Sequence, residues 1–160
     1  MNGDIDWLLM AFKILAVFFL VGMNGFFVAA EFALVKIRGT QLQPLVDEGQ
    51  RRAKIAHFIV DNLDAFLSAC QLGITLASLA LGWIGEPIFE TLLEPVFHWL
   101  DIDSYREIIS FGFGFSVITI LHIVVGEVAP KSLAIQKPLP TSLWVAYPMM
   151  WFYKISYPFV

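Results

Sequence analysis

Three long apolar runs constrain what this chain can fold into. They extend over residues 7–35, 63–84 and 108–128. A helix needs about 20 apolar residues to cross the hydrocarbon core of a bilayer, and each run meets that length. A soluble domain would have about a quarter charged residues, whereas this chain has 15%. The pattern therefore predicts an all-α membrane protein with three transmembrane helices.

Two further segments predict shorter helices outside the spans. Residues 141–158 are apolar and aromatic but contain Pro148, Lys154 and Pro158. Tryptophan, tyrosine and lysine suit the headgroup zone, so we expect a C-terminal juxtamembrane interfacial helix, with a fourth span as the alternative. The acidic stretch "GEPIFETLLEPVFHWL" is amphipathic and predicts short helices at the outer face. Residues 1–160 are expected to form one transmembrane domain.

The loop charges predict an orientation in the membrane. The loop between the first two runs is basic, with Lys36, Arg38, Arg51, Arg52 and Lys54. The loop between the second and third runs is acidic, with Glu86, Glu90, Glu94, Asp101, Asp103 and Glu107. Since basic loops stay cytoplasmic, we expect the N-terminus outside and the C-terminus in the cytoplasm. The net charge of −4 argues against a nucleic acid partner.

Several kinds of chemistry have little support in this sequence. The single cysteine, Cys70, excludes an intrachain disulfide and a cysteine cluster. His57, His98 and His122 lie far apart without the spacing of metal ligands, so zinc and soft metals are not expected. No nucleophile–base pair or phosphate-binding loop is visible, and we expect no enzymatic activity. Cys70 and His122 are predicted to be packing residues.

Polar side chains inside membrane spans are costly and are therefore candidates for function. Asn24 and Glu31 are seven residues apart in the first run, which places them on one helix face. Spacings of three, four and three place four side chains on one face of the second run: Ser68, Gln71, Thr75 and Ser78. Around Asn24, small residues recur every four positions at Gly25, Ala29 and Ala33, which predicts a close contact with another helix.

Each of these residues has a structural alternative. The hydroxyl groups of the second run could simply donate hydrogen bonds to the preceding helical turn, or hold neighbouring helices together. Asn24 and Gln71 could form an interhelical hydrogen bond. Glu31 is expected to pair with Lys36 or Arg38 rather than to bind an ion directly.

The third run ends in the stretch "GEVAP", residues 126–130. Pro130 has no N–H, so the Gly126 carbonyl loses its usual helical partner. We expect a broken helix end, with a free carbonyl oxygen beside the Glu127 carboxylate. Oxygen ligands of this kind suit magnesium or sodium, and transporters coordinate cations in this way. Pairing of Glu127 with Lys131 is the alternative.

Three stretches resemble the signature motifs of a known family. "NGFFVAAEFALVKIR", "NLDAFLSACQLGITLASLALGWIGEP" and "HIVVGEVAPKSLA" resemble those of the DUF21 transmembrane domain of the CorC family. That family is related to the eukaryotic CNNM (cyclin M) proteins. The second motif is similar to the bacterial branch that carries the name hemolysin C.

The resemblance implies a bacterial inner-membrane magnesium exporter, coupled to sodium and assembled as a homodimer. It places the Mg²⁺ site at Asn24, Gln71 and Glu127, with the Gly126 carbonyl nearby. This sequence has Asn24 where the family has a serine and Gln71 where it has an asparagine. Secondary candidates for the site are Glu31, Ser68, Thr75 and Pro130.

The resemblance also leads us to expect a cytosolic pair of CBS domains after residue 160. The alternative to a transporter is therefore a non-transporting magnesium sensor or scaffold that acts through the CBS domains. A membrane-damaging toxin, as the name hemolysin would suggest, is a weaker alternative.

Overall fold

The computed structural model of the chain describes residues 3–100 and 106–159, with side chains for residues 8–84, 88, 108–109 and 111–159. Its helices are α1 (Gly3–Lys36), α2 (Gly39–Asp47), α3 (Arg51–Asp61), α4 (Leu63–Leu100), α5 (Arg106–Leu121), a π segment (His122–Val128), α6 (Ala129–Gln136), α7 (Pro138–Ser156) and a 3-10 turn (Tyr157–Phe159). Within the described residues no strand occurs. The all-α prediction is confirmed.

Three stretches of helix are long and apolar enough to cross a membrane. They extend over Leu8–Lys36, Leu63–Ile84 and Phe111–Gln136. Large apolar side chains on their surfaces face outward, among them Phe12, Phe18 and Trp83, which are 69%, 57% and 83% exposed. Such a surface would be unfavourable in water and suits a lipid bilayer. The prediction of three transmembrane helices is confirmed.

The third span differs from the prediction at Pro130. The expected broken helix end is wrong. The helix of the third span continues through the π segment into α6, and it ends at Gln136 rather than at residue 128. Pro130 lies in the first turn of α6. Because the helix is continuous here, the missing N–H of Pro130 leaves a carbonyl of the preceding turn without its helical partner, while the fixed backbone angle of proline is compatible with the helix.

The second span is Leu63–Ile84, but the helix that forms it continues beyond the span. We predicted short separate helices for the acidic stretch after Ile84, but α4 runs unbroken to Leu100. The expected acidic loop residues Asp101 and Asp103 lie outside the described residues.

Helix α1 is the centre of the bundle. It packs against α4 on one side, against the π segment and α6 on another, and against α7 near its C-terminal end. The largest buried cluster includes Phe27 and Leu34 of α1, Phe66 of α4 and Met149 of α7. Ring contacts support it, with the Phe27 and Phe152 centroids 4.6 Å apart. This cluster fixes α7 across the end of the bundle where α1 terminates.

Candidate functional site

Helix α1 and the π segment approach each other closely because both have glycine at the contact. A Cβ atom on Gly25 would lie 3.0 Å from Cγ of Pro130 and 3.4 Å from the Val125 carbonyl oxygen. A Cβ atom on Gly126 would lie 3.1 Å from the His122 ring and 3.3 Å from Nδ2 of Asn24. A Cβ atom at either position would require its neighbours to shift by a few tenths of an ångström. The two glycines therefore allow backbone oxygen atoms of the third span to reach α1.

The small residues of α1 continue this contact towards its C-terminal end. Ala29 and Ala33 pack with Ala134 of α6 in a separate buried cluster. The predicted close helix contact is therefore present, and it joins two spans of the same chain.

The π segment and Pro130 together leave backbone oxygen atoms without their helical partners. The Ala129 N–H donates to the Val124 carbonyl, five residues earlier. Pro130 has no N–H to give, either to Val125 in this register or to Gly126 in α-helical register. The Gly126 carbonyl instead accepts a hydrogen bond of 2.9 Å from Nδ2 of Asn24. The third span thus presents a carbonyl oxygen to a side chain of the first span.

Asn24 connects this carbonyl to a second polar group on α4. The Ser78 hydroxyl donates to Oδ1 of Asn24 at 3.3 Å. The same hydroxyl lies 3.4 Å from Nε2 of His122. Asn24 is only 2% exposed, and Ser78 and His122 are half-buried. We refer to Asn24, Ser78, His122 and Gly126 as the polar cluster.

The polar cluster lies deep in the apolar part of the bundle. Asn24 precedes the end of α1 by 12 residues, which is about 18 Å of helix. Ser78 follows the start of α4 by 15 residues, which is about 22 Å. These two helix ends lie on the same side of the bundle because α1 and α4 run antiparallel. In a hydrocarbon core of about 30 Å the cluster would be far from either surface.

A cavity of about 240 Å³ adjoins the polar cluster. Its polar lining comes from Ser78, Thr119 and His122, and its other walls are Leu81, Gly82, Phe111, Phe115 and Ile118. Apart from His122 of the π segment, these residues lie along α4 and α5, on the side away from the Lys36 end of α1. The cavity therefore lies towards the half of the bundle that we predict to be the outer half.

The structure brings together two of the four principal site residues that the sequence suggested. Asn24 and Gly126 are in direct contact. Gln71 and Glu127 are exposed, and in the described part of the chain their side chains form no hydrogen bond or ion pair. The alternative of an Asn24–Gln71 hydrogen bond is wrong: Asn24 bonds to Gly126 and Ser78 in the bundle interior, whereas Gln71 is exposed.

The proposed ion pairs of the two carboxylates are not formed among the described residues. The Lys131 ammonium lies 4.4 Å from the centre of the Phe32 ring, as a cation–π contact, rather than on Glu127. Glu31 is half-buried, and its expected pairing with Lys36 or Arg38 is wrong. Lys36 follows it by five positions, whereas neighbours on a helix face are three or four apart.

The remaining secondary candidates have local roles. The Ser68 hydroxyl donates to the Asp64 carbonyl and the Thr75 hydroxyl to the Gln71 carbonyl. This is the bonding to the preceding turn that we considered as their alternative. Pro130 acts through its ring and its missing N–H, since it packs against Gly25.

Sequence reasoning missed the role of His122 and undervalued Ser78. His122 was expected to be a packing residue, but its imidazole is part of the polar cluster. A signal was present, since His122 precedes Gly126 by four residues and such residues share a helix face. The other expected packing residue, Cys70, is buried with its Sγ 3.7 Å from Sδ of Met149, as predicted.

The polar cluster has no acidic side chain among the described residues that form it. It contains an amide, a hydroxyl, an imidazole and a backbone carbonyl, with no carboxylate among the described residues that touch it. Nowhere in the described part of the chain do three histidine, cysteine or acidic side chains gather to hold a metal ion. Uncharged oxygen ligands can replace part of a hydration shell, but a divalent cation here would need a negative charge from an adjoining residue.

Comparisons with known proteins give the chain a family. The model of the Cyclin M transmembrane N-terminal domain (CNNM) matches residues 14–160. UPF0053 protein YugS of Bacillus subtilis is 51% identical over 149 residues, which is 92% of this chain and 35% of that protein. UPF0053 protein YhdP of the same organism is 46% identical over 142 residues, covering 88% of this chain and 32% of that protein.

The similarity extends beyond Bacillus. UPF0053 protein sll0260 of Synechocystis is 33% identical over 148 residues, covering 90% of this chain and 32% of that protein. The chain thus spans about a third of the length of the curated relatives that it matches. With the family model matching nearly all of its residues, the chain belongs to the cyclin M (CNNM) transmembrane domain family.

Proposed function

We propose that the chain is the membrane part of a transporter that exports Mg²⁺ in exchange for sodium. The observation that carries this proposal is the contact of Asn24 with the Gly126 carbonyl in the interior of the bundle. Backbone outside the regular helical pattern occurs in a membrane span where it is buried in protein or lines a polar cavity, and a polar side chain beside it is a candidate for an ion path. Family membership supports a transporter-like role.

The geometry of this contact suits an exchange between a hydrogen bond and an ion. Neighbouring ligands of an octahedral ion with bonds of about 2.1 Å are about 3.0 Å apart. Nδ2 of Asn24 and the Gly126 oxygen are 2.9 Å apart. Rotation of the amide by half a turn would put Oδ1 where Nδ2 lies. Two oxygen atoms would then be spaced as adjacent ligands of Mg²⁺, with no movement of the backbone.

The required negative charge would come from Glu127. It follows Gly126 directly and is the single acidic residue between Phe111 and Gln136. Since the carboxylate is exposed on the third span, it would have to turn towards the cluster, or a second subunit would have to cover it. A homodimer that buries this face would do so, and we include that assembly in the proposal. Gln71, also exposed, would join the site only by a comparable movement.

The test is to remove the charge while keeping the size of the side chain. Glu127→Gln should abolish the rise in melting temperature that Mg²⁺ gives the purified protein, and should abolish Mg²⁺ efflux from proteoliposomes. Glu31→Gln is the matched control, because Glu31 is also a carboxylate of a span but does not adjoin the polar cluster. A Glu127→Gln protein that binds and exports Mg²⁺ like the parent would refute the proposal.

The same purified protein and proteoliposomes distinguish a magnesium sensor or scaffold from a transporter. A sensor would show Mg²⁺-dependent stabilisation lost in Glu127→Gln, but no flux in the parent protein. Sodium coupling is tested by imposing a sodium gradient on the proteoliposomes, which should drive Mg²⁺ flux in the opposite direction.

A further inference from the structure

A groove opens on the surface of the bundle near the end where α1 terminates. It has a volume of about 240 Å³ and lies between α1, α6 and α7. Six residues line it: Ala29, Leu133, Lys137, Pro140, Thr141 and Trp144. None of them belongs to the polar cluster, so this α1–α6–α7 groove is separate from the proposed ion site.

The groove changes from apolar to basic along its length. Ala29 precedes the end of α1 by seven residues, which is about 10 Å of helix, and Leu133 lies one helical turn before Lys137. Lys137 follows Gly126 by 11 residues, which is about 16 Å and about half of a 30 Å hydrocarbon core. Because Gly126 lies deep in the bundle, Lys137 is at the level where hydrocarbon meets the headgroups, on the side that we predict to be cytoplasmic.

Lys137 gives the basic end of the groove an uncompensated positive charge. It is the one charged side chain of the lining, and among the described residues no carboxylate lies within ion-pair distance of its ammonium. Helix α7 begins at the next residue, Pro138, so the positive end of the helix dipole adds to this charge. The Thr141 hydroxyl already donates to the Lys137 carbonyl at 2.7 Å. The Lys137 ammonium is therefore the donor for a ligand, and its charge favours an anion.

Trp144 forms an apolar wall of the same groove. Its ring packs edge-on against the Phe26 ring of α1, with the centroids 5.6 Å apart, yet the residue remains 60% exposed. Leu133 is exposed as well. Tryptophan is enriched where hydrocarbon meets the headgroups, so an exposed tryptophan and leucine below a lysine suit an acyl chain beneath its headgroup.

We propose that the α1–α6–α7 groove binds an acidic phospholipid of the leaflet at the Lys137 end of the bundle. The lipid phosphate accepts hydrogen bonds from the Lys137 ammonium, and one acyl chain lies along Leu133 and Trp144 towards Ala29. Basic pockets between transmembrane helices on the cytoplasmic side are known to bind acidic headgroups. The bound lipid joins α7 to the first and third spans. This proposal does not depend on Mg²⁺ transport, and either can fail without the other.

The test is a titration of the purified protein in detergent with phosphatidylglycerol, followed by melting temperature. Phosphatidylglycerol should raise the melting temperature of the parent in a saturable way, and zwitterionic phosphatidylcholine much less. Lys137→Gln should need about 10- to 100-fold more phosphatidylglycerol, as expected for loss of a hydrogen bond between charged groups. Lys154→Gln is the matched control, because it removes the same charge from α7 outside the groove.

The control variant should need at most about 5-fold more lipid, which is the effect of one lysine near an anionic surface. Equal effects of the two substitutions would overturn the proposal. Glycerol 3-phosphate offers the phosphate without acyl chains. If it stabilised the parent as well as phosphatidylglycerol does, the groove would be a site for a free anion and the proposal would be wrong.

A second measurement uses the unaltered protein and remains decisive if Lys137→Gln does not fold. Phosphatidylglycerol with a photoactivatable diazirine in its acyl chain should label Leu133 or Trp144, as mapped by mass spectrometry of peptides. Excess unlabelled phosphatidylglycerol should suppress this labelling. Labels spread evenly over the exposed faces of the spans would overturn the proposal. A groove that stays unlabelled because a second copy of the chain covers it would overturn it equally.

Discussion

Nδ2 of Asn24 lies 2.9 Å from the carbonyl oxygen of Gly126, joining two spans through residues 102 positions apart in the chain. The contact depends on three nearby features of the sequence: glycine at 25, glycine at 126, and a proline at 130 that cannot donate to the carbonyl. The same contact joins the first span to the third. It also positions a carbonyl oxygen that could bind a cation in place of the hydrogen bond from Asn24. Stability and proposed ion binding should therefore respond together to changes here.

Removing the Asn24 amide should destabilise the protein even without ions. Asn24→Leu has a similar volume but leaves the Gly126 carbonyl without its buried donor. We expect a loss of about 0.6–3 kcal/mol, between the average for interhelical hydrogen bonds in membranes and the cost of an unsatisfied buried group. Thermal unfolding in detergent with a chelator present would measure it. Gln71→Leu removes an exposed amide of α4 and should have little effect; equal losses in both variants would contradict the structure.

A methyl group at position 25 should separate α1 from the third span. Gly25→Ala would place a Cβ atom 3.0 Å from the Pro130 ring, and overpacking of this kind costs about 1–3 kcal/mol. Gly22→Ala lies on the same helix with no atom within 4 Å of the new Cβ. Because alanine favours a helix interior over glycine by about 0.5–1 kcal/mol, Gly22→Ala should leave the melting temperature unchanged or raise it. A stabilised Gly25→Ala variant would show that the close contact does not exist.

The two serines of α4 should differ although both are on the same helix. Ser68 bonds only to its own preceding turn, so Ser68→Ala should change stability and Mg²⁺ binding little. Ser78 bridges two other spans, and Ser78→Ala should weaken Mg²⁺-dependent stabilisation by several-fold in apparent affinity. Calorimetric titration of the two variants compares them directly. If Ser68→Ala were the more harmful change, the polar cluster would be wrongly placed.

The orientation predicted from loop charges can be tested by labelling. In a Cys70→Ala background, a cysteine at Gln50 should react with an impermeant thiol reagent only from the cytoplasmic side. A cysteine at Asp103 should react only from outside, because the basic loop stays in the cytoplasm. Labelling of inverted vesicles and intact cells provides both faces. The reverse accessibility would invert the topology and the direction assigned to the cavity.

The sequence by itself determined the class of fold and the number of spans. Length and hydropathy set both, since a bilayer requires about 20 apolar residues per helix whatever the helices pack against. The small residues at 25, 29 and 33 likewise predicted a close contact. Residues with local roles, such as Ser68 and Thr75, were also assigned correctly as alternatives, because bonding to the preceding turn depends only on the helix itself.

Tertiary structure alone decided which polar groups meet. Gln71 and Glu127 had the same sequence support as Asn24 and Gly126, but they lie on exposed faces. The rotation of each helix about its own axis decides this, and it depends on close packing at Gly25 and on the extra residue of the π segment. Those features also carried the third span past Pro130 and brought His122 to Ser78. The periodic pattern of one helix shows which of its residues share a face, but not which face of a neighbouring helix they contact. Only the packed bundle therefore shows which polar groups meet.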